Sequence, residues 1–264
     1  MEAQLGALHP LLAGVLASFL ASLGTGLGAL PVLAIRRVSQ RLQDVMLSAA
    51  AGIMLAAAAF SLIEPGLAEA AQLVGSRPLG TVLFGLSLAA GGGAILAVHR
   101  YVPHEHLFTA RLDPHTSERL RGVWLLVVAL TLHNLPEGMA VGVGSAGGTA
   151  GGAALTIGIF IQNMPEGFVP ALALVAQGYG RGRAVGIACA TGLAETIGGL
   201  LGAVAVTLVQ TALPWAMGFA AGAMIFVIIH EIIPETHRNG FETKATFGLI
   251  AGFIVMLVLE SVFA

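Results

Sequence analysis

The chain has 264 residues, of which 56% are hydrophobic and only 10% charged, and its mean hydropathy is +0.89. A water-soluble domain of this length could not cover so much apolar surface, so the composition requires a bilayer. The formal net charge of −2 gives no basic face for nucleic acid, and a single cysteine, Cys189, excludes a disulfide framework and a thiolate cluster.

Eight apolar runs follow one another, at about 9–34, 42–67, 78–101, 120–145, 151–177, 182–210, 213–236 and 244–264. They are long and continuous, which favours helices over the short alternating strands of a barrel. The expected fold is therefore all-α, a polytopic membrane protein of eight transmembrane helices forming a single domain over 1–264. Thirty-six glycines suit close helix–helix approach in lipid. The chain opens Met1-Glu2 with no basic region, so the first run reads as a retained span rather than a cleaved signal. Arg36-Arg37-Val38-Ser39-Gln40-Arg41 separates the first two spans, and Tyr179-Gly180-Arg181-Gly182-Arg183 separates the fifth from the sixth. The long hydrophilic segment lies between spans three and four, with a His-containing loop at about 102–119.

Charge orients the bundle. Arg36, Arg37, Arg41, Arg100, Arg111, Arg119, Arg121, Arg181, Arg183, Arg238 and Lys244 all lie in or beside the odd-numbered loops, and Arg77 alone lies on the other side. The positive-inside rule places the odd loops in the cytoplasm, so both termini face outward across the cell (inner) membrane.

Polar residues recur inside two consecutive spans. His133-Asn134-Leu135-Pro136-Glu137-Gly138 lies in the fourth and Gln162-Asn163-Met164-Pro165-Glu166-Gly167 in the fifth. A charge at the bilayer centre costs roughly 2.5–3.5 kcal/mol on insertion scales, so it marks a pathway or site. His133 and Glu137 stand one helical turn apart on one face, and Pro136 and Pro165 predict a bend or break in each helix. Imidazole, carboxylate and amide oxygen suit a divalent ion such as Zn2+, with Cd2+, Fe2+, Mn2+ and Co2+ as alternatives. Glu195, ionisable and central in span six, is expected on the same polar axis. Met54, central in span two, reads on its own as packing.

With these residues in view, the chain resembles the ZIP (Zrt/Irt-like) family of divalent metal transporters, most of all its bacterial GufA-like branch. The resemblance also covers Ala50 to Leu55, Gly192 to Glu195 and His230 to Gly240. It implies movement of zinc into the cytoplasm and a binuclear centre between helices four and five, while the Asn-x-Pro-Glu-Gly pattern repeated in two successive, oppositely directed helices predicts an inverted 3+2+3 repeat. By motif, His133, Glu137, Gln162, Glu166 and Met54 would form one metal site. Asn134, Glu137, Asn163, Glu166 and Glu195 would form the other, with the two glutamates bridging. Many family members carry His where Gln162 stands and an acid where Asn163 stands, and fewer charges should weaken the second site. The resemblance also suggests that His230 and Glu231, with Glu235 and His237, relay metal outward from the site; an ordinary helix end in the headgroup region is the alternative.

His99, His104, Glu105, His106 and His115 in the loop are a metal-binding candidate weighed against a solvated segment. Glu64 and Glu69, near the outer end of span two, read as solvated surface residues, with electrostatic attraction of cations as the alternative; Glu260, near the outer C-terminus, reads as interfacial. The expected partners are divalent ions and lipid, with a homodimer open and nucleic acid excluded. Two other functions stand beside the carrier. A metal-selective channel needs the same polar midplane. An intramembrane metalloenzyme needs His-Glu-x-x-His, but His230-Glu231 is followed by Pro234 where the second histidine belongs.

Overall fold

The computed structural model describes residues 9–35, 38–101, 114–149 and 151–263. Among them the chain is almost wholly helical and contains no strand. Eight helical segments follow the expected runs: α1 (Pro10–Leu33), α2 (Gln40–Val74), α3 (Arg77–Tyr101), α4 (Pro114–Ala146), α5 (Gly152–Ala176), α6 (Arg181–Leu208), α7 (Leu213–His237) and α8 (Glu242–Phe263). Local chemistry sets several ends. Ser39 caps α2 by accepting the amide of Leu42 at 3.3 Å, and Gly75, in the left-handed region at φ 70°, stops it.

Seven of the eight are long and apolar enough to cross a membrane by hydropathy alone. The eighth, α4, spans 33 residues and carries His133, Asn134 and Glu137 along its course. The lipid face is made of exposed aliphatic and aromatic side chains such as Leu86, Leu208, Phe247 and Val262. The chain is a multi-pass membrane protein.

The two halves are related by a repeat. Ala50-Ala51-Gly52-Ile53-Met54 in α2 matches Ala220-Ala221-Gly222-Ala223-Met224 in α7. A methyl group added at Gly52 would collide with the Leu249 carbonyl of α8, and one at Gly222 would collide with the Leu88 carbonyl of α3. Likewise Gly252 of α8 abuts the Ala49 carbonyl, and Gly91 of α3 abuts the Phe219 carbonyl. The α2–α8 pair is thus repeated as α7–α3. In the same way Gly167 of α5 presses on the Thr25 carbonyl of α1, and Gly138 of α4 presses on the Glu195 carbonyl of α6. Helices α1 and α6 correspond under this relation, and they run antiparallel: Gly14 lies against Ala203, while Gly26 lies against Cys189. The pseudo-two-fold axis is therefore perpendicular to the helices, which is the inverted repeat expected.

Helices α1, α4, α5 and α6 pack on one another, and α2 and α7 close the flanks. Helices α3 and α8 are outermost: in their most apolar stretches only 11% and 17% of residues are buried, against 61% in α5. The motif-bearing helices are central, as anticipated.

Backbone-to-backbone contact without Cβ atoms is what lets these pairs approach. Gly52→Leu and Gly222→Leu should each cost about 1–3 kcal/mol, since a carbonyl oxygen cannot rotate away as a side chain can. Gly186→Leu, which meets open space, should be neutral. Thermal melting of the three variants in detergent checks this.

Candidate metal centre

Pro136 sits inside α4, and Pro165 and Pro170 sit inside α5. The expected break does not occur; both helices run through their prolines. A proline removes one donor from the ladder, and the turns on either side hold the helix together where neighbours pack it. The interruptions fall elsewhere. α2 widens into a π-helical turn at Ala58–Ile63 just before Pro65, and α7 does so at Ile228–Ile232 just before Pro234. A wider turn moves the carbonyl that would otherwise clash with the proline ring. Nothing in the single-sequence pattern signalled these two turns.

The polar residues of α4, α5 and α6 converge in the interior. His133, Asn134, Glu137, Gln162, Asn163, Glu166 and Glu195 are all buried. Glu137 lies within electrostatic reach of both Glu166 and Glu195. Most of their free valences are acceptors. Both carboxylate oxygens of Glu137, both of Glu166, Oε1 of Glu195, Oδ1 of Asn134 and Oε1 of Gln162 have no hydrogen-bond partner, nor does Nδ1 of His133. Buried polar atoms are nearly always paired, so a cluster of orphaned oxygens demands an explanation. A cation is the species that such a set accepts. Among the described residues no three His, Cys, Asp or Glu side chains close on one point as a finished cage. Amide oxygens would therefore complete any ligand set.

Asparagines tie the site together. Asn134 Nδ2 donates to the Thr191 carbonyl of α6 at 2.9 Å, and Asn163 Nδ2 donates to the Ala21 carbonyl of α1 at 3.0 Å. These bonds are equivalents under the pseudo-two-fold. Asn163 Nδ2 also reaches Glu195 Oε2 at 2.6 Å, and its Oδ1 accepts from Gln162 Nε2 at 2.8 Å. The position in α1 that corresponds to Glu195 is Thr25, whose hydroxyl is buried without a partner.

His230 and Glu231 part company. Glu231 Oε2 meets His133 Nε2 at 2.5 Å, so its partly buried side chain reaches the central cluster. His230 is exposed and lies against the Phe226 ring, with centroids 4.9 Å apart. Adjacent helical residues point about 100° apart, so the two side chains face different surroundings. Met54 is fully buried in the apolar cluster that also contains Ala140 and Val141 of α4 and Ile159 of α5. Glu260 is partly buried and accepts from the Ser61 hydroxyl at 3.1 and 3.2 Å.

Sequence reasoning missed Thr25, Asp44, Ser48 and Thr191. Asp44 is buried, its Oδ1 taken by Gln40 at 2.8 Å and Asn239 at 3.1 Å. An acidic residue in the first turns of a helix reads as solvated, so only the α2–α7 packing could reveal it. His104, Glu105 and His106 lie outside the described residues, as do the side chains of His99 and His115.

Fold and site together define a polytopic membrane protein with a cluster of buried carboxylates, amides and an imidazole at its centre. The sequence matches the family described as "ZIP Zinc transporter" over residues 99–260. It is 49% identical to "Zinc transporter ZIPB" of Bordetella bronchiseptica, over 90% of this chain and 77% of that one. It is 43% identical to "Zinc transporter GufA" of Myxococcus xanthus, over 94% and 98%, and 30% identical to "Zinc transporter ZupT" of Stenotrophomonas maltophilia, over 88% of each. The chain belongs to the ZIP family.

If the centre is independent of the loop, changing His99, His104, His106 and His115 together to Ser should leave interior zinc binding intact. Equilibrium dialysis of the quadruple variant tests this; loss of all bound zinc would put the loop in the site.

Proposed function

We infer that the chain carries divalent transition-metal ions, zinc foremost, across the cell membrane into the cytoplasm through a centre between α4 and α5. The observation that carries this reading is the set of four unpartnered carboxylate oxygens on Glu137 and Glu166. Buried charge without a partner is costly, and it persists where function uses it. Imidazole, carboxylate and amide oxygens together favour a borderline ion over calcium or magnesium. The naming of the relatives as zinc transporters supports zinc.

In this reading Glu137 and Glu166 hold the ion, His133 and Gln162 complete its shell, and Asn134 Oδ1 stands beside it. Met54 would enter only through a thioether contact, the least polar of these donors. Glu231 then takes the ion from His133 on the way to the cytoplasm, since the two already touch. The orientation rests on the basic residues of the odd loops, with both termini outside.

The glutamates should matter most. Removing one leaves a divalent charge undercompensated in a low-dielectric site, a loss of about 3–5 kcal/mol by analogy with broken buried ion pairs. Glu137→Ala and Glu166→Ala should abolish zinc uptake into proteoliposomes and weaken binding by at least about a hundredfold. His133→Ala should weaken both less, because water can replace a neutral ligand. Glu195→Gln should change them least. Wild-type uptake and binding in both glutamate variants would overturn the assignment.

A further inference from the structure

Asn163 and Gln162 decide how the centre is filled. The amide nitrogen of Asn163 faces two acceptors at once, the Ala21 carbonyl at 3.0 Å and Glu195 Oε2 at 2.6 Å. Turned over, the amide would set its oxygen against two oxygens, so the donor end is fixed by its surroundings. Asn163 Oδ1 is then bound to accept, and it takes Gln162 Nε2 at 2.8 Å. That leaves Gln162 Oε1 as the buried end with no partner. Glu195, Asn163 and Gln162 thus form a relay in which each member orients the next. The far end of the relay, Gln162, lies beside Glu137 and keeps an oxygen without a partner.

A second cation beside Glu195 would need the space and the acceptors that this amide already uses. We propose that the Asn163 amide stands in for that second cation, so that the centre holds a single divalent ion and Glu195 is a positioning residue for Gln162 rather than a metal ligand. The proposal rests on the transport reading above and narrows it. Glu195 keeps one unpartnered oxygen, against four on Glu137 and Glu166, so the free acceptor capacity is concentrated at one point. An aspartate at 163 would reverse the situation. It has no hydrogen to give, so two carboxylates would face each other, and a cation would be the group that reconciles them.

The test counts zinc on the purified full chain by equilibrium dialysis, with the four loop histidines changed to Ser so that only interior sites register. The parent should bind one zinc ion per chain. Asn163→Asp should bind two, and Asn163→Asp with Glu195→Gln should return to one. In the parent background Glu195→Gln should still bind one, with affinity changed by less than about threefold, because a glutamine oxygen still accepts from Asn163. Two ions on the parent, falling to one with Glu195→Gln, would overturn the proposal while leaving the transport reading in place. A folded Asn163→Asp that stays at one would overturn it too. No zinc on the parent would overturn the transport reading and the proposal together.

Discussion

Everything in this fold is arranged around carboxylates that have no partner in the protein. Glu137 and Glu166 lie inside a bundle whose outer faces are aliphatic; the Gln162 amide lies near Glu137, but no donor meets any of the four carboxylate oxygens in good hydrogen-bond geometry. Neighbouring polar groups do find partners: Asn134 donates to the Thr191 carbonyl, Asn163 donates to the Ala21 carbonyl and to Glu195, and Glu231 meets His133. The same chain that satisfies these groups leaves the two central acids bare. Burying ionised groups in low dielectric is unfavourable unless a counter-charge arrives. A bundle that keeps them must hold them in place against that cost. The glycine contacts do so, by locking α4 to α6 and α5 to α1 backbone to backbone.

The pseudo-two-fold explains why the site has two similar but unequal halves. The equivalent asparagines bond to equivalent carbonyls, which fixes each amide to its neighbouring helix. What differs is the next residue along: Glu195 in α6 against Thr25 in α1. Likewise the widened turns of α2 and α7 carry Ser61 and Glu231 at matching places, and each touches a different partner, Glu260 for the first and His133 for the second. The scaffold is symmetric, while its chemistry is directional.

Much of this was legible in the sequence. The eight spans follow from hydropathy, and the inward-facing acids follow from the cost of charge at membrane depth. The central residues His133, Glu137, Gln162, Glu166 and Glu195 were found by that reasoning. A break at proline is expected from the missing donor, but packing keeps both helices continuous. The π-helical turns left no periodic signal. The His133–Glu231 contact joins residues far apart in sequence, so no local pattern announces it. Asp44 hid near the start of α2, where acids are ordinarily solvated. The repeat itself is short at the level of identity, Ala-Ala-Gly-x-Met, and becomes visible once matching glycine contacts reveal the register.

The central claim is that the bare oxygens of Glu137 and Glu166 receive the transported ion. An anomalous difference map collected at the zinc absorption edge, from crystals of zinc-loaded protein, tests it most directly. The account predicts a peak between α4 and α5, within about 2.0–2.2 Å of an oxygen from each of the two glutamates. A peak confined to the loop between α3 and α4, or to the Ser61–Glu260 contact, with the two central carboxylates still bare, would contradict it.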